Sequence, residues 1–379
     1  MIDTGDTAWV LISAALVFVM TPGLAFFYGG MVRSKNVLTT IMQSFFIIAM
    51  ISVEWVILGY AMTFGTDIGG FIGSLDKVGL AGVGLNVLEN GTIPELAFVA
   101  FQCMFAVITP ALITGAFAER MRFAAFAVLI LLWAIFIYNP MAHWVWGGGF
   151  LAELGAIDFA GGLVIHILSG VSGLTICILL GTRRGYGQFA MIPHNLPMTV
   201  LGAALLWFGW FGFNAGSALG ANGLAANAFV TTQAAAAAAT VSWVLVEWYR
   251  NGKPTILGAA SGCIAGLVAI TPAAGFVSRC RRSPLVLSVV LSATSPSLSS
   301  KRSSATMIRS MPLVFTASVV RGAPSQRASG LRRKSTRPVL TASSTARHTC
   351  SSLRSFRSSL LMLLPLSVRT SSSRSSATS

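Results

Sequence analysis

His166 is an ionisable ring inside an otherwise apolar run, Asp158-Phe-Ala-Gly-Gly-Leu-Val-Ile-His-Ile-Leu-Ser-Gly170. Low dielectric favours the neutral ring, which offers one donor and one acceptor. That suits a small polar molecule or a proton relay better than a bare cation. Two readings stand: a residue that lines a pathway, as ionisable residues in membrane spans usually do, or a satisfied packing residue. Asp158 either caps the segment that follows, where the helix dipole welcomes a carboxylate, or attracts cations at its mouth. Trp144 and Trp146, in WVWGGG, form an interfacial aromatic belt or a cation–π face for an ammonium-type ion. Phe213 and Ser217 are four apart in WFGWFGFNAGS and share a helix face. They suit a phenyl gate with a hydroxyl above it, or plain packing. Phe101 and Phe105 repeat that spacing. Glu54 lies within an apolar segment and either pairs with a neighbouring helix or faces a vestibule.

Other chemistries find little support. There is no nucleophile beside a base and no cluster of His, Cys and carboxylates, so no enzyme is expected. A phosphate-binding glycine loop is also missing. The five cysteines (103, 177, 263, 280 and 350) show no paired spacing, and no metal site, disulfide framework or cofactor is expected.

The elements that must position these residues are membrane helices. The 379 residues are 54% hydrophobic, with 10% charged and a mean hydropathy of +0.75. Apolar runs recur at about 9–30, 38–64, 95–118, 122–141, 160–181, 197–217, 223–248 and 255–277, eight spans in all. Their Gly and Ala content predicts a tightly packed bundle. MIDTGDTAW carries no basic residue, so a cleaved signal peptide is not expected. Arg33, Lys35, Arg120, Arg122, Arg183, Arg184, Arg250 and Lys253 follow the odd-numbered spans, whereas the alternate loops are acidic. The positive-inside rule puts the N-terminus outside. Asp158 is then at an outer mouth, with His166 about 12 Å deeper along a helix. Ile108-Thr-Pro-Ala111 and Ile270-Thr-Pro-Ala273 recur five spans apart. They hint at an inverted repeat, with chance or a common helix-end motif as the alternative.

The net charge of +15 is uneven. All eleven acidic residues lie between Asp3 and Glu247, and 17 of the 26 Lys and Arg lie from Arg279 onward. Residues 279–379 hold 28 Ser and no carboxylate. This Ser/Arg-rich segment is a disordered basic tail or, as expected here, the translation of a shifted reading frame. Residues 1–278 are then a transmembrane domain and 279–379 an aberrant tail. No nucleic-acid partner is expected.

Taken together the segments resemble the ammonium transporter family (Amt/Mep/Rh), from about residue 7 to 278. The resemblance rests on TPGLAFFYGGMVRSKN (21–36), AFQCMFAVITPALITGAFAERMRF (100–123), WVWGGGFLAELGAIDFAGGLVIHILSG (144–170) and GWFGFNAGS (209–217). It implies an all-α polytopic membrane bundle of eleven helices, five plus five inverted and one more, of which eight are recognisable. It also implies a homotrimer with one pore per subunit, in the inner or plasma membrane. By resemblance, Phe105, Trp146 and Ser217 hold ammonium at the outer mouth, and Phe105 and Phe213 stack as a gate. His166 lines the pore as the first of two facing histidines, and Asp158 is a structural acid or part of deprotonation. The substrate is ammonium or ammonia, and a cytoplasmic regulatory protein is a possible partner. The chain departs from the family in having no intramembrane histidine after His166 and no match to helices nine to eleven. Two other expectations therefore stand beside transport: a truncated product without activity, and an ammonium sensor that does not transport.

Overall fold

The computed structural model describes residues 1–88, 91–183, 185–188 and 191–277. The expectations placed on the segment 279–379 lie outside these residues.

Among the described residues, eight helical segments are long and apolar enough to cross a membrane. They are α1 (Thr4–Met31), α2 (Ser34–Phe64), α3 (Glu95–Phe117), α4 (Phe123–Glu153), α5 (Gly162–Leu180), α6 (Leu196–Gly216), α7 (Gly223–Asn251) and α8 (Ile256–Ala273). Polar residues fix their starts. Asp3 accepts from the Asp6 N–H, Asn195 from Met198, Asn222 from Leu224 and Ala225, and Thr255 from Gly258. Each side-chain oxygen satisfies an N–H that the helix cannot pair internally. Between α2 and α3 a short hairpin pairs β1 (Asp67–Ile68) with β2 (Ile72–Gly73), Asp67 opposite Gly73.

The most extensive packing joins α1 and α6. Glycine permits it: a Cβ at Gly202 would overlap the Phe27 backbone, and one at Gly209 would overlap Met20. In the absence of a hydrophobic drive between helices in lipid, such backbone approach is what holds membrane helices together. The Ile-Thr-Pro-Ala repeat falls in α3 and at the end of α8. In both copies the threonine hydroxyl donates to the carbonyl four residues back, Thr109 to Phe105 at 2.6 Å and Thr271 to Leu267 at 2.8 Å.

The fourth span runs further than the apolar run at 122–141, because α4 continues past residue 141 to carry Trp144 and Trp146 on its Asn139–Trp146 stretch. A π-helical turn at Ala134–Tyr138 precedes Pro140 and re-phases the backbone, so the missing proline N–H does not end the helix. Helical structure in α5 starts only at Gly162, in a π-helical turn, so the eight-residue helical rise expected from Asp158 to His166 does not apply to residues 158–161.

Candidate functional site

Phe105 from α3 and Phe213 from α6 meet with ring centroids 4.6 Å apart and tilted by 37°. Both are 1% exposed. Trp146 at the end of α4 stands edge-on to Phe105 at 6.0 Å, and Phe101 packs on Phe105 at 4.8 Å. One turn beyond Phe213, Ser217 donates its hydroxyl to the Phe213 carbonyl at 2.8 Å. That commits the hydroxyl hydrogen inward and leaves the oxygen lone pairs to accept from a cation.

On the other side of Phe213 lies His166 of α5. The two rings are stacked, 5.9 Å apart and 11° from parallel. Trp210 closes the group, 5.5 Å from His166 and from Phe213. Its indole N–H donates to Thr271 at 2.9 Å, so α8 fixes the ring. Phe105, Phe213 and His166 thus form a continuous stack across three helices. Beneath it runs a cavity of about 60 Å³, room for a few molecules the size of water. Its walls are almost wholly apolar (Leu112 and Ile264 among them), and it extends from His166 and Phe213 to Val32 and Arg183 at the opposite end of the bundle.

Asp158 is a cap in this arrangement. Its carboxylate accepts from the backbone N–H of Gly161, Gly162, Leu163 and Val164 at 2.7–3.1 Å. Burial pushes the carboxyl up from its ordinary range, and the backbone donors oppose that shift. A proton on either oxygen would displace one of those bonds. Its backbone carbonyl receives the Trp146 indole N–H at 3.0 Å. The first turn also needs glycine: Gly161 has φ +106°, and a Cβ at Gly162 would overlap Pro272 of α8. The structure therefore joins all six candidate residues, Phe105, Trp146, Asp158, His166, Phe213 and Ser217, through contacts between neighbours.

Residues 8–286 match the sequence model of the Ammonium Transporter Family. This chain belongs to that family. The ammonium transporter of Bacillus subtilis is 58% identical over 275 residues, 72% of this chain and 67% of the relative. That of Aquifex aeolicus is 52% identical over 279 residues, 73% and 65% respectively. Crystal structures of Saccharomyces cerevisiae Mep2 and of Candida albicans Mep2 superpose with TM-scores of 0.76 and 0.73, at 34% and 32% identity. Each comparison covers 83% of this chain and 71% of the other. The chain spans about two-thirds of the length of the curated ammonium transporters it matches.

Two parts of this ammonium transporter family member escaped sequence reasoning. His143 is fully buried three residues before Trp146, with Nδ1 2.8 Å from the Thr63 carbonyl and Nε2 2.9 Å from Asp67. It ties the tryptophan-bearing end of α4 to the β1 hairpin. An ionisable ring in an apolar stretch was signal enough, the same signal that marks His166. At the opposite end, Arg33 donates its backbone N–H, Nε and Nη2 to the Glu119 carboxylate at 2.6–3.1 Å. Burial alone would raise the Glu119 carboxyl, but the bonds from Arg33 and Asn36 outweigh it and hold it at about 2. Arg120 donates to the Ala116 and Gly181 carbonyls. The basic loops after α1, α3 and α5 are thereby bonded to one another.

Proposed function

We propose that this membrane protein carries ammonium across the bilayer. The observation that supports the reading most is the Phe105–Phe213–His166 stack standing over an apolar cavity that reaches the far end of the bundle. Trp146, Phe105 and the accepting oxygen of Ser217 form the outer recruiting site. Aromatic faces and a hydroxyl lone pair favour a small N–H-bearing cation. The paired phenyl rings act as the gate. An ammonium ion entering the cavity would lose its hydration to apolar walls at large cost. The ion therefore gives up its proton at the mouth, to the outer water or to a relay through the pore, and neutral ammonia passes His166, which hydrogen-bonds it. Asp158 acts by shaping the mouth, through Trp146 and the first turn of α5.

The N-terminus is placed outside, because the bonded basic loops then lie on the cytoplasmic side, and the cell membrane is the location. A homotrimer and a cytoplasmic regulatory protein are proposed from the family resemblance. The segment 279–379 is proposed to be the product of a shifted reading frame, which resequencing codons 270–285 would test. Uptake of labelled methylammonium into proteoliposomes tests the function itself. Ammonium binding at the mouth without uptake would favour the sensor reading, and neither binding nor uptake would favour an inactive product.

A further inference from the structure

Glu54 and Asn139 take no part in the stack. They meet inside the bundle, where α2 and α4 pack against the flank of α3. Trp55 beside Glu54 donates its indole N–H to the Val99 carbonyl at 3.2 Å, and Cys103 of α3 reaches Ser52 at 3.8 Å. Asn139 Nδ2 donates to Glu54 Oε1 at 2.8 Å. Glu54 is 6% exposed and Asn139 fully buried. Two acceptor oxygens of this pair, Glu54 Oε2 and Asn139 Oδ1, are buried without a hydrogen-bond partner.

An ionised carboxylate accepts at both oxygens, with about four lone-pair sites to satisfy. Here one amide N–H serves it, and among the described residues no Lys or Arg forms an ion pair with it. Among the described residues, Cys103 on α3 and Tyr138 on α4 lie within electrostatic reach of Glu54, and neither brings a positive charge. A lone charge so placed in a membrane span is strongly disfavoured. One proton on Oε2 changes the account. The acid O–H can then donate to Asn139 Oδ1 while the amide N–H donates to Oε1. This is the two-bond ring of a carboxylic acid–amide pair. It removes the charge and both partnerless acceptors together.

The backbone is arranged around the pair. Glu54 precedes a π-helical turn at Trp55–Gly59, and Asn139 follows the one at Ala134–Tyr138. Such turns recur where a helix is adapted to a local task. A Cβ at Gly59 would lie 2.9 Å from Oε2 and 3.0 Å from Oε1, so the glycine leaves the carboxyl its space. We propose that Glu54 and Asn139 are a proton-binding site, a neutral acid–amide pair that keeps its proton at neutral pH and pins α2 to α4.

Infrared difference spectra of the purified full chain in lipid at neutral pH test this. The wild type minus Glu54→Gln spectrum is expected to show a protonated carboxylic-acid carbonyl band, and Asn139→Leu should shift that band. Glu54→Gln can still exchange two hydrogen bonds with Asn139, so it should melt with the wild type, whereas Glu54→Leu should melt lower. Loss of a carboxylate band in place of an acid band would overturn the proposal. So would a Glu54→Gln chain as unstable as Glu54→Leu. If Glu54→Gln does not accumulate, Glu54→Asp keeps an acid of shorter reach and must shift the acid band; an unchanged band would overturn the assignment.

Discussion

Trp146 is bonded through its indole N–H to the backbone carbonyl of Asp158, at 3.0 Å, while the Asp158 carboxylate gathers four N–H groups of the first turn of α5. The aromatic face at the mouth and the start of the histidine-bearing helix are therefore set by one residue. An Asn side chain there would turn an NH₂ group toward backbone donors. Asp158→Asn is expected to destabilise the chain by about 3 kcal/mol, measured as thermal unfolding in detergent. A variant of wild-type stability with lost uptake would mean that the carboxylate acts on the ion directly.

Ser217 offers a cation one accepting oxygen. Removing one hydrogen bond to a charged ligand costs roughly 1.4 kcal/mol, about tenfold in affinity. Ser217→Ala should raise the half-saturating methylammonium concentration about tenfold and leave the maximal rate near that of the wild type. A loss of maximal rate at unchanged half-saturation would move Ser217 out of the outer site.

His166 contributes a ring parallel to Phe213 and a polar group in an apolar wall. His166→Ala should change conductance, or selectivity between methylammonium and ammonium, and should lose about 1 kcal/mol of ring contact. Unchanged uptake kinetics would remove His166 from the pathway.

Glu119 supplies a pH dependence. Its carboxyl is held at about 2 against an ordinary 4.5, so the folded state binds its proton less readily than the unfolded chain. The contribution is complete above about 4.5 and disappears as pH falls through about 2. Stability should hold from neutral pH down to about 5 and then decline. Glu119→Gln should flatten that decline and cost about 2 kcal/mol at neutral pH. The residue also sits at φ +67°, a backbone state that its bonds to Arg33 help maintain. An identical acid limb in Glu119→Gln would show that another carboxylate governs it.

The spans were legible because lipid demands long apolar helices, and all eight occur where hydropathy puts them. The proposed gate was legible in part: Phe101 with Phe105, and Phe213 with Ser217, share helix faces at a spacing of four. That Phe105 meets Phe213, 108 positions away, is a tertiary fact that spacing along one helix does not contain. The same holds for Glu54 with Asn139 and for Arg33 with Glu119. The end of α4 was less legible, because the apolar run stops near residue 141 whereas the helix continues through a π-helical turn and Pro140 to Trp146. That DFAG folds as a cap and not as the first turn of a helix was not legible from hydropathy.

The most direct test of transport is uptake of labelled methylammonium into proteoliposomes holding the full chain, compared with Phe213→Asp in the proposed gate and with protein-free vesicles. Folded wild-type protein should give saturable uptake that ammonium competes away, and Phe213→Asp should abolish it. Wild-type uptake no greater than that of protein-free vesicles, from chain shown to be folded, would contradict the account.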